Sequence, residues 1–345
     1  MKNRFFEFYN LSQAEIDNLW SDGVFVVDAN VLLDFYRFPK TTSDTLLEVL
    51  KKIKLNNQLW IPYQIGLEFH KHRSEIIELE SHEYKRLATY FSDKLQSEVA
   101  STFAENCNSR PLIKKEKYLA EVKKVGLKIS KSIKRLEKRH PNYKKRDIVL
   151  DNLTELFDDN CVGKEFSESK LADIYKEGNE RYSKKTPPGF MDLDKSEPEK
   201  YGDLVLWFQI IEKSKESKKP IVFITRDTKK DWWFFNNDGE KKGARRELVK
   251  EMHAKAGTKF YIYEIFHFIY LASKKLDIKI GKKLTKEIKI IESVATTDEF
   301  HSKVAEGYTN SVTSNIASGQ VGTVSSNIET VKISEKENSD TKMVK

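Results

Sequence analysis

The apolar run Val24-Phe-Val-Val27 stops at Asp28, and a second apolar run, Val31-Leu-Leu33, begins just after Asn30. This is the pattern of a short buried strand that delivers an acid into a loop at its C-terminal end and passes at once into a helix. In parallel α/β sheets that edge is where ligands and chemistry gather. The rest of the chain can be read around Asp28.

Upstream, residues 1–23 form an amphipathic lead-in, with Ser12 and Glu15 spaced as a capping box for a helix through Trp20. Downstream, a helix is expected from about Ser43, with Leu46, Leu47, Val49, Leu50 and Ile53 on its apolar side. Gln58-Leu-Trp-Ile-Pro62 then reads as a second short strand closed by proline. Strand, helix and strand at this spacing predict a βαβ unit, a parallel sheet and a right-handed crossover.

From Gln64 to about Tyr182 glycine is sparse and charged helices take over. Positions 119, 122, 126, 129, 133 and 136 carry Leu, Val, Gly, Ile, Ile and Leu, the seam of an antiparallel helical hairpin interrupted at Gly126. Arg110-Pro111 and His140-Pro141 are the expected breaks on either side. A helix near Asp147–Asp159 should end by Gly163, and another should run from Ser167 or Ser169 to Tyr182. The α/β pattern then returns with a rigid loop at Lys185–Phe190, a buried helix over Tyr201–Ile211 and a strand at Ile221–Thr225. A helix from Arg246, a strand at Phe260–Tyr263 and a closing helix at Phe266–Lys275 complete it. After about Ser293, Ser, Thr, Asn, Gly and Val dominate, which predicts a flexible tail. The expected organisation is a domain over 1–290, with its core at about 20–69 and 186–290 and a helical insertion at about 70–185. A low-complexity tail over 291–345 follows.

Asp28, Glu68, Asp203 and Asp227 each fall at a strand C-terminus or near a helix N-terminus, and Asp231 follows four residues after the last. In a parallel sheet those termini share one edge. Carboxylates crowded there repel one another unless a cation neutralises them. Hard ions such as Mg²⁺ or Mn²⁺ take oxygen ligands and keep waters for substrate phosphates. A site of that kind suits in-line phosphodiester cleavage. His70 and His72 are two apart, face opposite sides of a helix and cannot share an ion.

Charge and cysteine content narrow the partners. With 61 Lys and Arg against 53 Asp and Glu, the net charge is +8, compatible with a polyanionic partner. The basic side chains concentrate in Arg110–Arg146, where Lys123, Lys124, Lys128, Lys131, Lys134 and Arg135 would give salt-dependent, sequence-tolerant nucleic-acid binding. The other reading of that segment is a solvated coiled-coil face. Two cysteines, Cys107 and Cys161, in no CxxC pair suggest a reducing cytoplasm. The first ten residues mix charge with aromatics, unlike a signal peptide, and no stretch approaches the roughly 18–20 apolar residues of a membrane span.

Several of these stretches together resemble the PIN-domain nucleases, and more narrowly the bacterial PIN-like domain family with a long helical insertion. The resemblance rests on Val27-Asp-Ala-Asn-Val-Leu-Leu-Asp34, Ile61-Pro62 and Glu68-Phe69, and on Arg181-Tyr182 through Pro187-Pro-Gly-Phe190, Asp192 and Lys195. It continues through Tyr201-Gly-Asp-Leu-Val-Leu-Trp207, Phe223-Ile-Thr-Arg-Asp-Thr-Lys-Lys-Asp-Trp-Trp233 and Arg246-Glu-Leu248, covering about 24–275. It implies a three-layer α/β fold around a central parallel sheet. It makes Asp28, Glu68, Asp203 and Asp227 metal-binding catalytic acids, with Asp231 a fifth, in the outer shell or at a second metal. Asn30 and Thr225 fall where polar residues orient such acids. Arg226 departs from the small or polar residues common beside the last acid. Asp192 and Lys195 belong to the motif without an assigned role, and Arg181 suits either a phosphate contact or a structural salt bridge.

The function implied is a Mg²⁺- or Mn²⁺-dependent nuclease, an endoribonuclease ahead of a deoxyribonuclease, in bacterial settings where such enzymes act as toxins or against phage. The alternative is a catalytically silent PIN-like module that binds nucleic acid or a partner protein through its basic insertion. A homodimer through the same insertion is a further expectation. Phosphatase chemistry of the haloacid-dehalogenase type is disfavoured, because position 30 is Asn where that chemistry needs a second acid.

Overall fold

A computed structural model describes residues 1–107 and 112–279. In chain order the first half contains α1 (Gln13–Asp22), β1 (Val24–Val27), α2 (Ala29–Leu33), α3 (Lys40–Leu55), α4 (Tyr63–Thr89), α5 (Leu95–Cys107), α6 (Lys115–Glu137) and α7 (Ile148–Leu156). The second contains α8 (Glu168–Ser183), α9 (Gly202–Ser217), β2 (Ile221–Thr225), β3 (Trp233–Phe235), β4 (Lys241–Ala244), α10 (Arg246–Ala256), β5 (Phe260–Glu264) and α11 (Ile265–Lys275). The expected Arg110-Pro111 break and the tail over 291–345 lie outside the described residues.

The central sheet is parallel, in the order β1-β2-β5. Its side chains alternate between two helical layers. Phe223 packs on Trp232 at 4.9 Å between ring centroids, and Trp207 of α9 on Phe260 at 4.9 Å, filling one face. On the other, Phe25 meets Trp20 of α1 at 5.1 Å and Phe268 of α11 at 6.0 Å. The predicted three-layer α/β architecture with a helical insertion is therefore the one observed. Ser12 and Glu15 close the predicted capping box at α1.

Two local expectations are corrected, and one element is added. Gln58–Pro62 is not a full strand: it joins the sheet by single bridges, Phe25 to Leu59 and Ile61 to Val162. Pro62 has no N–H to extend a ladder, and α4 starts at the next residue. Gly163 does not end a helix, since α7 stops at Leu156. Gly163 instead lies under the Trp60 ring, where a Cβ would stand 2.6 Å from Cζ2. The hairpin Trp233–Ala244, formed by β3 and β4, was not anticipated.

The insertion is an antiparallel helical hairpin, but its long arm begins earlier than the seam residues suggested. α4 runs through a π-helical turn at Tyr90–Lys94 into α5, and α6 returns alongside both. Phe103 stacks on Tyr118 at one end, and Tyr84 meets His140 at the other. Gly126 does not interrupt α6. It is buried against the Phe91 carbonyl, where a Cβ would lie 2.1 Å from the oxygen. A π-turn displaces carbonyls from the helical ladder, and Gly126 lets α6 approach that point. Leu136, by contrast, is largely exposed.

Gly126→Ala is expected to lower stability by about 1–3 kcal/mol through this clash. Helix propensity alone would raise it by about 1 kcal/mol. Urea denaturation reads the sign, and a more stable variant would remove the close-approach account of this crossing.

The insertion is tied to the core at Asp147. Its carboxylate caps α7 through Leu150 N at 2.9 Å, accepts from Tyr36 Oη at 3.0 Å and pairs with Arg73 of α4 at 2.7 Å. Among the described residues, no helix is long and apolar enough to cross a membrane.

Candidate active site

Asp28 follows β1 directly and stands at the N-terminus of α2 without capping it through its side chain. Its Oδ2 instead accepts from Thr225 Oγ1 at 2.6 Å and Asn30 Nδ2 at 2.7 Å. Asn30 Oδ1 accepts from Arg226 N at 3.0 Å, and Thr225 Oγ1 accepts from Asp227 N at 2.9 Å. Asn30 and Thr225 thereby lock the ends of β1 and β2 together and fix the direction of Asp28.

Glu68 sits in the second turn of α4, its Oε1 accepting from Gln64 Nε2 at 2.7 Å. The first turn of α9 closes on it. At Gly202 a Cβ would lie 2.9 Å from Glu68 Oε1, so only glycine lets Asp203 come up beside Glu68 without displacing it. The four acids thus meet at one rim of the sheet. Asp28 lies in the field of Glu68 and Asp227, and Asp203 in that of Asp227, Asp192 and Glu68.

Burial makes this rim electrostatically expensive. It pushes Asp28 up to about 7 despite the Thr225 bond, with the charges of Glu68 and Asp227 adding to the rise. It raises Asp203 well above the ordinary carboxylate value, Lys229 opposing, and raises Glu68 as well. Asp203 Oδ2 is buried with no hydrogen-bond partner.

Lys229 answers this charge at closest range on the Asp203 and Asp227 side. Lys229 Nζ lies 2.9 Å from Asp192 Oδ1, 3.4 Å from Asp227 Oδ2 and 3.6 Å from Asp203 Oδ2. Lys195 also pairs with Asp192, at 2.9 Å. Burial works to raise Asp192, but the two lysines outweigh it and hold this carboxyl below its ordinary range. Asp192, unassigned from the sequence, is thus the anchor of Lys229, and Lys195, also unassigned, braces Asp192 from outside. Sequence reasoning missed Lys229, since next to Lys230 in a turn it reads equally well as a solvated side chain.

The linkage has a definite sign. Folded Asp28 holds its proton between the ordinary value of 3.8 and about 7, where the unfolded chain has released it. This contribution to stability is full below 3.8 and lost as pH rises through about 7. Asp28→Asn keeps an oxygen for Thr225 and removes the charge. In metal-free buffer the variant is expected to melt above wild type at pH 8, the gap closing towards pH 5. A variant that melts below wild type at pH 8 would show that the charge is not a burden.

The other expected site residues divide by burial. Asp231 is fully buried, and its Oδ2 accepts from Gly189 N at 2.9 Å and Met191 N at 3.3 Å. This oxygen holds the 189–191 turn, while Oδ1 is buried with no hydrogen-bond partner. Of the two readings of Arg181, the geometry supports the structural salt bridge over the phosphate contact: it is buried and paired with Glu251 at 2.7 and 2.8 Å. Trp232 is sealed in the core, and Trp233 is buried and donates to Asp227 O at 2.6 Å. Arg226, the departure from the motif, is neutralised by buried Asp34 at 2.8 and 2.9 Å. Lys123, Lys124, Lys128, Lys131, Lys134 and Arg135 are all exposed along α6, and His70 and His72 are exposed on α4.

Carboxylate oxygens and an orphaned Asp203 Oδ2 are the donor set a hard divalent cation takes. As the side chains stand, no three His, Cys, Asp or Glu among the described residues are disposed to grip one ion together. The Lys229 ammonium occupies the position between Asp203 and Asp227.

A parallel sheet with acids gathered at its strand ends, and a helical arm inserted between β1 and β2, defines an α/β domain with a candidate acidic site. Residues 24–248 match the family model described as "PIN like domain", and the chain belongs to that family. Domains of this kind are generally nucleases and usually use divalent metals. No curated protein and no solved structure matches the chain.

Proposed function

We propose that the protein is a divalent-metal-dependent nuclease, an endoribonuclease, and that Asp28, Glu68, Asp203 and Asp227 carry its chemistry. The observation that supports this reading most is the convergence of these four acids on one rim, with burial raising three of them. Such crowding is unfavourable for folding alone and suits a site that takes up positive charge. Mg²⁺ or Mn²⁺, when bound, supplies a water of lowered pKa and a Lewis acid for the scissile phosphate.

The chain's own residues do the rest. Asn30 and Thr225 keep one Asp28 oxygen engaged and so orient the carboxylate. Gln64 does the same for Glu68. Asp203 offers an oxygen that has no hydrogen bond to give up. The exposed lysines of α6 and Arg135 would hold the polynucleotide backbone. Toxin or phage-defence biology would follow from cleavage of cellular RNA.

The rival reading is a silent module, and the ammonium group of Lys229 among the acids favours it. End-labelled single-stranded RNA and DNA of one sequence, incubated with the full chain in Mg²⁺, Mn²⁺ or EDTA, separate the two. Internal cleavage of RNA that EDTA abolishes is expected. Binding without cleavage under every condition would leave the silent module standing.

A further inference from the structure

Lys229 is a poor fit to the idea of a surface lysine. Its ammonium reaches three carboxylates from three separate elements: Asp192 in the turn after Gly189, Asp203 in α9 and Asp227 after β2. Its side chain is 32% exposed, so two thirds of it lies out of solvent among these carboxylates. The contacts are unequal. Asp192 is at hydrogen-bond distance through both oxygens, whereas Asp203 and Asp227 are at 3.6 and 3.4 Å, ion pairs without a hydrogen bond. Lys195 also braces Asp192, which keeps it ionised. Lys229 therefore has one firm anchor and two looser partners, and the looser two are proposed catalytic acids.

Resting on the proposed metal-dependent reading, we propose that Lys229 is a built-in counter-ion that competes with the divalent cation for Asp203 and Asp227. With no metal, it holds these acids at the rim against their mutual repulsion. When a divalent cation enters, the ammonium gives up the two loose contacts and stays on Asp192, beside the reacting phosphate. Lys229 is thus a positioning residue: it sets how much metal the site needs and retains a positive charge next to it. The balance is physical. A divalent cation brings twice the charge of an ammonium group and takes several carboxylate oxygens at once, while Asp192, outside the four acids, retains Lys229.

The test is Mn²⁺ binding to the full chain by isothermal titration calorimetry, comparing wild type with Lys229→Met, which keeps the stem and removes the charge. Removing a unit charge a few ångströms from the ion should tighten Mn²⁺ binding by roughly tenfold or more. In metal-free buffer the same variant should melt lower than wild type. A second reading needs no variant to fold well. In ¹H–¹⁵N spectra of the lysine ammonium groups, the Lys229 resonance of wild type should shift as Mg²⁺ is titrated, while the Lys195 resonance moves little. If wild type binds Mn²⁺ and Lys229→Met binds it no more tightly, the inference is overturned and the metal reading is untouched. An unmoved Lys229 resonance at saturating Mg²⁺ overturns it in the same way. If neither protein takes up Mn²⁺, the metal reading itself fails and takes this one with it.

Discussion

Asp203→Asn is expected to lower kcat/KM for RNA cleavage on the order of 10³-fold, about 4 kcal/mol of transition-state stabilisation. The size follows from what the side chain does now. It is mostly buried at the first turn of α9, and its Oδ2 has neither a hydrogen-bond partner nor a closer cation than Lys229 at 3.6 Å. Burial already works against its charge, so the neutral amide is tolerated by the fold. The loss should therefore fall on the chemical step. RNA affinity, which would reside in the exposed lysines of α6, should stay within a factor of a few. Steady-state kinetics beside a melting curve read both quantities. A variant that keeps most of its kcat/KM, with an unchanged melting temperature, would remove Asp203 from the reaction.

The second large effect concerns stability. Glu251 of α10 binds both terminal nitrogens of Arg181 at 2.7 and 2.8 Å and accepts from Trp207 Nε1 at 2.8 Å. Burial works against its charge, but the Arg181 bonds outweigh it and hold its carboxyl down to about 2. Arg181 also donates to the Pro187 carbonyl, which fixes the loop leading to Asp192. Glu251→Ala would leave the buried guanidinium only the longer contact to half-exposed Glu177 at 3.3 Å and the Pro187 carbonyl, and breaking such a buried pair costs about 3 kcal/mol. Urea denaturation should show that loss. The double variant Arg181→Met, Glu251→Leu should recover much of it, since replacing both charges removes the desolvation cost along with the attraction. A loss below about 1 kcal/mol in Glu251→Ala would place this pair with surface ion pairs.

Much of the site was legible in the sequence because its acids mark the ends of apolar runs. Asp28 after Val24–Val27, Asp227 after Ile221–Thr225 and Asp203 at the head of a buried helix each sit where period and composition change together. Their convergence follows from parallel pairing, which puts strand ends and helix starts on one edge. Legibility fails where a residue's role depends on a partner distant in sequence. Arg226 looked like an anomaly beside the last acid, and its partner Asp34 is 192 residues earlier. Arg181 had two readings of equal weight until Glu251 was placed against it. Lys229 and Asp192 could not be joined from sequence, since the lysine of a turn has no period to mark it. Gly126 looked like a break in a seam because a heptad count does not reveal that the opposing helix carries a π-turn at Tyr90–Lys94. Gln58–Pro62 had the composition of a strand, but Pro62 and the start of α4 left it room for isolated bridges only.

The central claim is that Asp28, Glu68, Asp203 and Asp227 jointly hold a divalent cation. Crystals of the full chain soaked in Mn²⁺, with data collected at the manganese edge, test it most directly. The account predicts an anomalous peak within ligand distance of these carboxylates, with the Lys229 ammonium withdrawn to Asp192. Saturating Mn²⁺ with no peak at that rim, and Lys229 still spanning Asp192, Asp203 and Asp227, would contradict it.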